Sequence, residues 1–123
     1  MKKILLVEDD DAFADILRKS LTMSGYDVMH ARDGREALHR YDPQTVHLVI
    51  TDLIMPGVDG MELIVKLQRI NPAVRIIAIT GGGRCDPETY LLIAKRLGAV
   101  KMLAKPFPLE EIRAAVKECL DIA

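Results

Sequence analysis

Val46-His47-Leu48-Val49-Ile50-Thr51-Asp52 is an apolar run that stops on a carboxylate, and the chain repeats this device. Ile4-Leu5-Leu6-Val7 ends in Glu8 and Asp9. Val74-Arg75-Ile76-Ile77-Ala78-Ile79 ends in Thr80. Val100-Lys101-Met102-Leu103-Ala104 ends in Lys105, followed by Pro106. Runs of this length bounded by polar residues read as strands. Between them lie segments with apolar residues at helical spacing, and that alternation is the signature of a parallel sheet built from βαβ units. Right-handed crossovers with helices on both faces make it doubly wound. For five strands the common order is 2-1-3-4-5, which sets the strands ending at Asp9 and Asp52 side by side. All five polar side chains then meet at the carboxyl edge of the sheet, where ligands bind in open α/β folds.

The full prediction is an α/β fold of five strands and five helices in strict alternation. Strand one covers about residues 3–7. The first helix presents Phe13, Ile16, Leu17 and Leu21 on one face and stops near Gly25. Strand two runs from about Tyr26 to Ala31. A short helix carries Ala37, Leu38 and Tyr41 and ends before Pro43. Strand three leads to Asp52 and the turn-rich Met55-Pro56-Gly57-Val58-Asp59-Gly60. A third helix runs to about Ile70, closed by Asn71-Pro72. Strand four leads into Gly81-Gly82-Gly83, and Asp86-Pro87 reads as the N-cap and first residue of a fourth helix ending at Gly98. Strand five follows, and Pro108 opens a last helix with Leu109, Ile112, Val116 and Leu120 on one face.

At 123 residues the chain is expected to be one domain, residues 1–123. Half of it is hydrophobic and 28% is charged, which excludes a disordered class. A net charge of −1 gives no basic field for nucleic acid. No apolar stretch approaches the ~18 residues that span a bilayer, and Met1-Lys2-Lys3 lacks the features of a signal peptide. A cytoplasmic protein is expected, with Cys85 and Cys119 reduced.

Three acids together repel: two unit charges ~4 Å apart cost about 4 kcal/mol at an effective dielectric near 20. They take up protons or bind a cation. Oxygen-only ligands favour a hard ion, Mg²⁺ first and Mn²⁺ as the alternative. A carboxylate beside such an ion can attack phosphorus and form an acyl phosphate. Thr80 can then donate to one phosphoryl oxygen and Lys105 can pair with another.

Taken together, these pieces resemble the receiver domain of a bacterial two-component response regulator, over essentially the whole chain from Lys3 to about Leu120. The matching segments are Ile4-Leu5-Leu6-Val7-Glu8-Asp9-Asp10, then Asp52-Leu53-Ile54-Met55-Pro56-Gly57-Val58-Asp59-Gly60, then Thr80, then Lys105-Pro106-Phe107. The resemblance implies that Asp52 accepts a phosphoryl group from a histidine kinase or a phosphotransfer protein. It implies Asp9 and Asp52 as Mg²⁺ ligands, the backbone carbonyl of Ile54 as a third, and Glu8 as an indirect one. Thr80 becomes the switch hydroxyl and Lys105 the phosphate-pairing lysine, with a cis Lys105-Pro106 bond. The output implied is a change in protein–protein contacts through the face of the fourth helix, strand five and the last helix. The output protein is unspecified, and neither direct nucleic-acid binding nor membrane association is implied.

Two departures stand out. The aromatic residue often found three positions before the lysine is Met102 here, which has no polar tip to act as a switch. Ile54 and Gly82, two past the aspartate and two past the threonine, cannot orient a hydrolytic water through a side-chain hydrogen bond. Other polar residues have plainer readings. Asp10 is read as a helix cap, Asp59 as a turn or helix-cap residue and His47 as structural. Of Leu91 and Leu92, at least one is expected to be exposed. No linker or DNA-binding motif follows the last helix, so the expected output is protein binding or phosphorelay, without catalytic turnover. An aspartyl-phosphatase is the competing enzyme reading, but it would want an acid where Ile54 stands. A flavin or nucleotide carrier is disfavoured by the acidic rim of Glu8, Asp9 and Asp52.

Overall fold

The computed structural model describes residues 1–53, 60–80, 88, 92, 96, 98 and 101–121. Five strands, β1 (Lys3–Val7), β2 (Asp27–Ala31), β3 (Leu48–Asp52), β4 (Ile76–Thr80) and β5 (Lys101–Ala104), form one parallel sheet in the order β2-β1-β3-β4-β5. Among the described residues four helices are delineated: α1 (Asp11–Met23), α2 (Gly34–Arg40), α3 (Gly60–Ile70) and α4 (Leu109–Asp121). The fifth expected helix, between Asp86 and Gly98, falls mostly outside the described residues. Within it, Glu88, Leu92 and Arg96 are helical and exposed, and Gly98 has the positive φ of a helix stop. Leu92 is 54% exposed, and Leu91 lies outside the described residues.

The strands are apolar on both faces because both faces are covered. Ile4 and Leu6 of β1, Leu48 and Ile50 of β3, and Ile77 and Ile79 of β4 pack in one core with α1 and α4. Leu5 and Val7, Val49, and Ile76 and Ala78 pack in the other with α2 and α3. Truncating one of these fully buried Leu or Ile side chains to Ala would cost about 2–5 kcal/mol.

Helix α1 starts where Asp10 caps it, its Oδ1 accepting from the Phe13 N–H at 3.1 Å. Gly25, with φ +96°, follows its C-cap Ser24. Its buried face differs from the expected one. Ala14, Leu17, Ser20 and Leu21 are buried and Phe13 is half-buried, while Ile16 is 51% exposed. With Leu17 at the centre, this arc extends roughly 60° to either side, and Ile16 lies about 100° away. The last helix buries Ile112, Val116 and Leu120 as expected, with Ala115 and Cys119 beside them. Burial raises the pKa of the Cys119 thiol, which is free. Cys85 lies outside the described residues. His47 is structural: its N–H donates to the Lys3 carbonyl and its Nδ1 accepts from the Lys3 N–H, both at 2.9 Å. No helix among the described residues is long and apolar enough to cross a membrane.

Candidate functional site

Strand order decides the site. β1 lies between β2 and β3, with Val7 level with Thr51, so the residues that follow, Glu8 and Asp9, emerge beside Asp52. Carboxylate oxygens of Glu8, Asp9 and Asp52 lie within 4.8 Å of one another. Glu8 and Asp52 are buried and Asp9 is exposed. The Glu8 N–H is tied to the Ala31 carbonyl at 3.0 Å, and His30 Nε2 lies 2.8 Å from the Glu8 carbonyl oxygen. Asp10 turns away to cap α1, as expected, while its own N–H donates to Glu8 Oε2 at 3.1 Å.

Lys105 completes the cluster from β5. Its Nζ donates to Asp52 Oδ2 at 3.1 Å and to Glu8 Oε1 at 3.2 Å. The Lys105 N–H also donates to the Thr80 carbonyl at 2.7 Å, so the ends of β4 and β5 are joined at the site. The Lys105-Pro106 bond is cis, as the family resemblance implied. Thr80 is fully buried, and its Oγ1 has no hydrogen-bond partner among the described residues. A buried hydroxyl left so costs about 1–3 kcal/mol. It is a donor in want of an acceptor.

Charge at this edge is unbalanced. Burial pushes the Glu8 carboxyl up to about 7, against the Asp10 N–H, which pulls it down; Asp52 pushes it up further, Lys105 opposes, and the hydrogen bond with Asp9 raises it again. Burial lowers the Lys105 pKa, but the Asp52 and Glu8 carboxylates outweigh it and leave the ammonium above its usual value. Three carboxylates against one lysine leave a surplus of negative charge that a proton or a cation can fill. An all-oxygen donor set with one exposed member suits a hard divalent ion that keeps part of its water shell.

Asp52 is fixed from below by a close approach. The first residue of α3, Gly60, donates its N–H to the Leu53 carbonyl at 3.1 Å. A Cβ there would stand 2.1 Å from the Asp52 carbonyl oxygen and 2.5 Å from Leu53 Cα. Only glycine lets the helix start against the strand end. Three features of the site were not anticipated from the residues: this contact, the Lys105–Glu8 bond, and the Phe13 ring, whose centroid lies 4.2 Å from the Lys105 ammonium. The turn composition around Gly60 hinted at the first. The other two join residues 97 and 92 positions apart, which no local pattern reveals. Ile54, Asp59, Gly81–Gly83 and Asp86 lie outside the described residues. Met102 is half-buried and packs against the core on the α2 and α3 face.

The model of the response regulator receiver domain matches residues 4–117. The chain belongs to the response regulator receiver domain family. The domain is 34% identical to sporulation initiation phosphotransferase F of Bacillus subtilis over 121 residues, 98% of this chain and 95% of that protein. It is 35% identical to the response regulator receiver protein CpdR of Brucella abortus, covering 98% of each chain. The alkaline phosphatase synthesis transcriptional regulatory protein PhoP of Bacillus subtilis is 34% identical, and there the match spans 97% of this chain but 48% of the relative. Among solved structures, a receiver domain protein from Clostridium thermocellum superposes with a TM-score of 0.91 at 25% identity, over 98% of this chain and 95% of that one. Chemotaxis protein CheY4 of Vibrio cholerae gives 0.86 at 28% identity, over 98% and 99%. The receiver domain is thus a phosphorylation-signalling module of two-component systems, homologous to phosphoacceptor domains, with an acidic cluster that can bind a metal ion.

Proposed function

We propose that Asp52 is the phosphoacceptor of this receiver domain and that phosphorylation there changes what the domain binds. The observation that carries the assignment is the Lys105 ammonium, 3.1 Å from Asp52 Oδ2 at the edge where Glu8 and Asp9 gather. A carboxylate oxygen of Asp52 attacks phosphorus, a P–O bond to Asp52 forms, and the bond to the donor's leaving group breaks. The product is an acyl phosphate on Asp52. Asp9 and Asp52, with the Ile54 carbonyl, would hold Mg²⁺ or Mn²⁺, and Glu8 supports the set indirectly. The ion supplies positive charge against the phosphoryl oxygens and orients the donor. Lys105 then pairs with one phosphoryl oxygen, and the Thr80 hydroxyl, without a partner among the described residues, donates to another. The domain is an autocatalytic acceptor rather than a turnover enzyme.

The donor in this reading is a histidine kinase or a phosphotransfer protein in the cytoplasm. The output is a protein partner, engaged without direct contact to nucleic acid or membrane. Engagement of Thr80 and Lys105 shifts the face made by the residues before Gly98, β5 and α4. Their direct link, the Lys105 N–H to Thr80 carbonyl bond, supports that route. With Met102 three positions before Lys105, that route has no aromatic switch at the usual position.

The test is incubation with Mg²⁺ and acetyl phosphate followed by the mass of the intact protein. One added phosphoryl group, absent in Asp52→Asn and without Mg²⁺, is the expected result. Steady release of phosphate from esters with no adduct would overturn the assignment.

A further inference from the structure

The sequence places Phe13 on the buried stripe of α1, and its ring does lean on the α1 and α4 core. Its other contacts are not those of a filler. The Lys105 Nζ sits over the ring face, 4.2 Å from the centroid. Phe107 meets Phe13 edge-on, with centroids 6.0 Å apart and ring planes at 76°. The backbone of Phe13 is anchored in the first turn of α1 by the Asp10 cap. Ring and lysine are thus clamped from two directions: the cap fixes Phe13, and Phe107, two residues past Lys105, sets the ring's tilt.

The ammonium needs such a surface because its other partners change. In the resting site Lys105 is held by Glu8 and Asp52. In the reading above those carboxylates turn to a cation and to phosphorus during transfer, and a divalent ion nearby repels the ammonium. A benzene face attracts a cation through its quadrupole, at ranges within about 6 Å of the centroid. It carries no charge for the metal to claim and no proton to lose. At 25% side-chain exposure Lys105 is also partly desolvated, which strengthens that attraction.

We propose that Phe13 is a positioning residue for phosphoryl transfer: its ring face keeps the Lys105 ammonium over the acidic cluster while the carboxylates are engaged elsewhere. The role rests on the assignment of Asp52 as phosphoacceptor. It acts wholly through Lys105, which separates it from ordinary packing.

The experiment is a double-mutant cycle on the rate of adduct formation with Mg²⁺ and acetyl phosphate, using Phe13→Leu, Phe13→Tyr, Lys105→Ala and the double variant Phe13→Leu/Lys105→Ala. Phe13→Leu should slow the adduct by roughly threefold to thirtyfold, the span of a cation–π contact from exposed to desolvated. Phe13→Tyr, which keeps the π face, should stay within about twofold of the native rate. With Lys105 already Ala, Phe13→Leu should change the rate by less than about twofold, since independent sites add and coupled ones do not. Proton NMR supplies a second readout: the Lys105 ε-methylene protons should shift upfield in the native protein and in Phe13→Tyr, and lose the shift in Phe13→Leu. An equal slowing by Phe13→Leu with and without Lys105 would mean packing alone and would overturn the role, as would an absent ring-current shift or an unaffected rate. If the native protein forms no adduct at all, the phosphoacceptor assignment fails and the role of Phe13 fails with it. A normal adduct without coupling defeats the role of Phe13 alone.

Discussion

Replacing Glu8 with Gln should make the metal-free domain more stable at pH 8 and leave it nearly unchanged at pH 4. Glu8 is 1% exposed, and burial is the main reason that its carboxyl is raised from 4.5 to about 7. An acid raised in this way binds its proton more tightly in the folded than in the unfolded chain. Its favourable contribution is complete below pH 4.5 and is lost as pH rises through about 7. At about 1.36 kcal/mol for each pKa unit, the loss reaches about 3 kcal/mol once Glu8 is ionised. Gln cannot ionise, so the stability gap between variant and native protein should open between pH 4.5 and 7 and level off above. Lys105 keeps Asp52 as a partner in the variant. The assay is urea unfolding followed by circular dichroism in EDTA at one-unit pH steps. Parallel stability curves for native and Glu8→Gln would refute the reasoning. Proton and divalent ion compete for the same cluster, so the apparent Mg²⁺ affinity of the native protein should fall by up to about tenfold for each pH unit below 7.

Other substitutions test separate links. Thr80→Val removes a buried hydroxyl that has no partner among the described residues, so thermal unfolding should show stability unchanged or raised by about 1 kcal/mol, while the spectral change on adding Mg²⁺ with beryllofluoride shrinks. A loss of several kcal/mol would mean that Oγ1 is already satisfied. Gly60→Ala sets a Cβ 2.1 Å from the Asp52 carbonyl oxygen, so denaturant unfolding should show a loss of at least about 1–3 kcal/mol together with slower acceptance at Asp52. Asp10→Ala removes a cap and should cost about 1 kcal/mol in the same assay, leaving Mg²⁺ affinity within a few fold. A large drop in metal affinity would make Asp10 a ligand.

Much of the architecture was legible because it rests on short-range periodicity. The apolar runs marked the strands, and Gly25, Gly60 and Asp10 marked helix ends where local backbone chemistry demands them. Ile16 was misplaced because apolar character alone does not say how wide a helix's buried arc is, and the arc here stops at Ala14 on one side and Ser20 on the other. The helix expected after Asp86 was legible as a pattern, and its exposed stripe of Glu88, Leu92 and Arg96 fits that pattern.

The site divides along the same line. The order of residues determined which side chains end the strands: Glu8, Asp9, Asp52, Thr80 and Lys105 are strand-end residues by the pattern of the chain alone. Family resemblance supplied Asp52 as the phosphoacceptor and Lys105 as the phosphate-pairing lysine. Tertiary structure decided what that pattern cannot carry. Glu8 shares Lys105, the Thr80 hydroxyl is buried without a partner among the described residues, and a ring from the first turn of α1 lies under the ammonium. The reason is physical: a strand pattern specifies which edge a side chain reaches, but burial, net charge and the ring beneath Lys105 depend on segments distant in sequence. Those quantities set the proton affinity of Glu8 and the place of Lys105, and they exist only once the sheet has assembled.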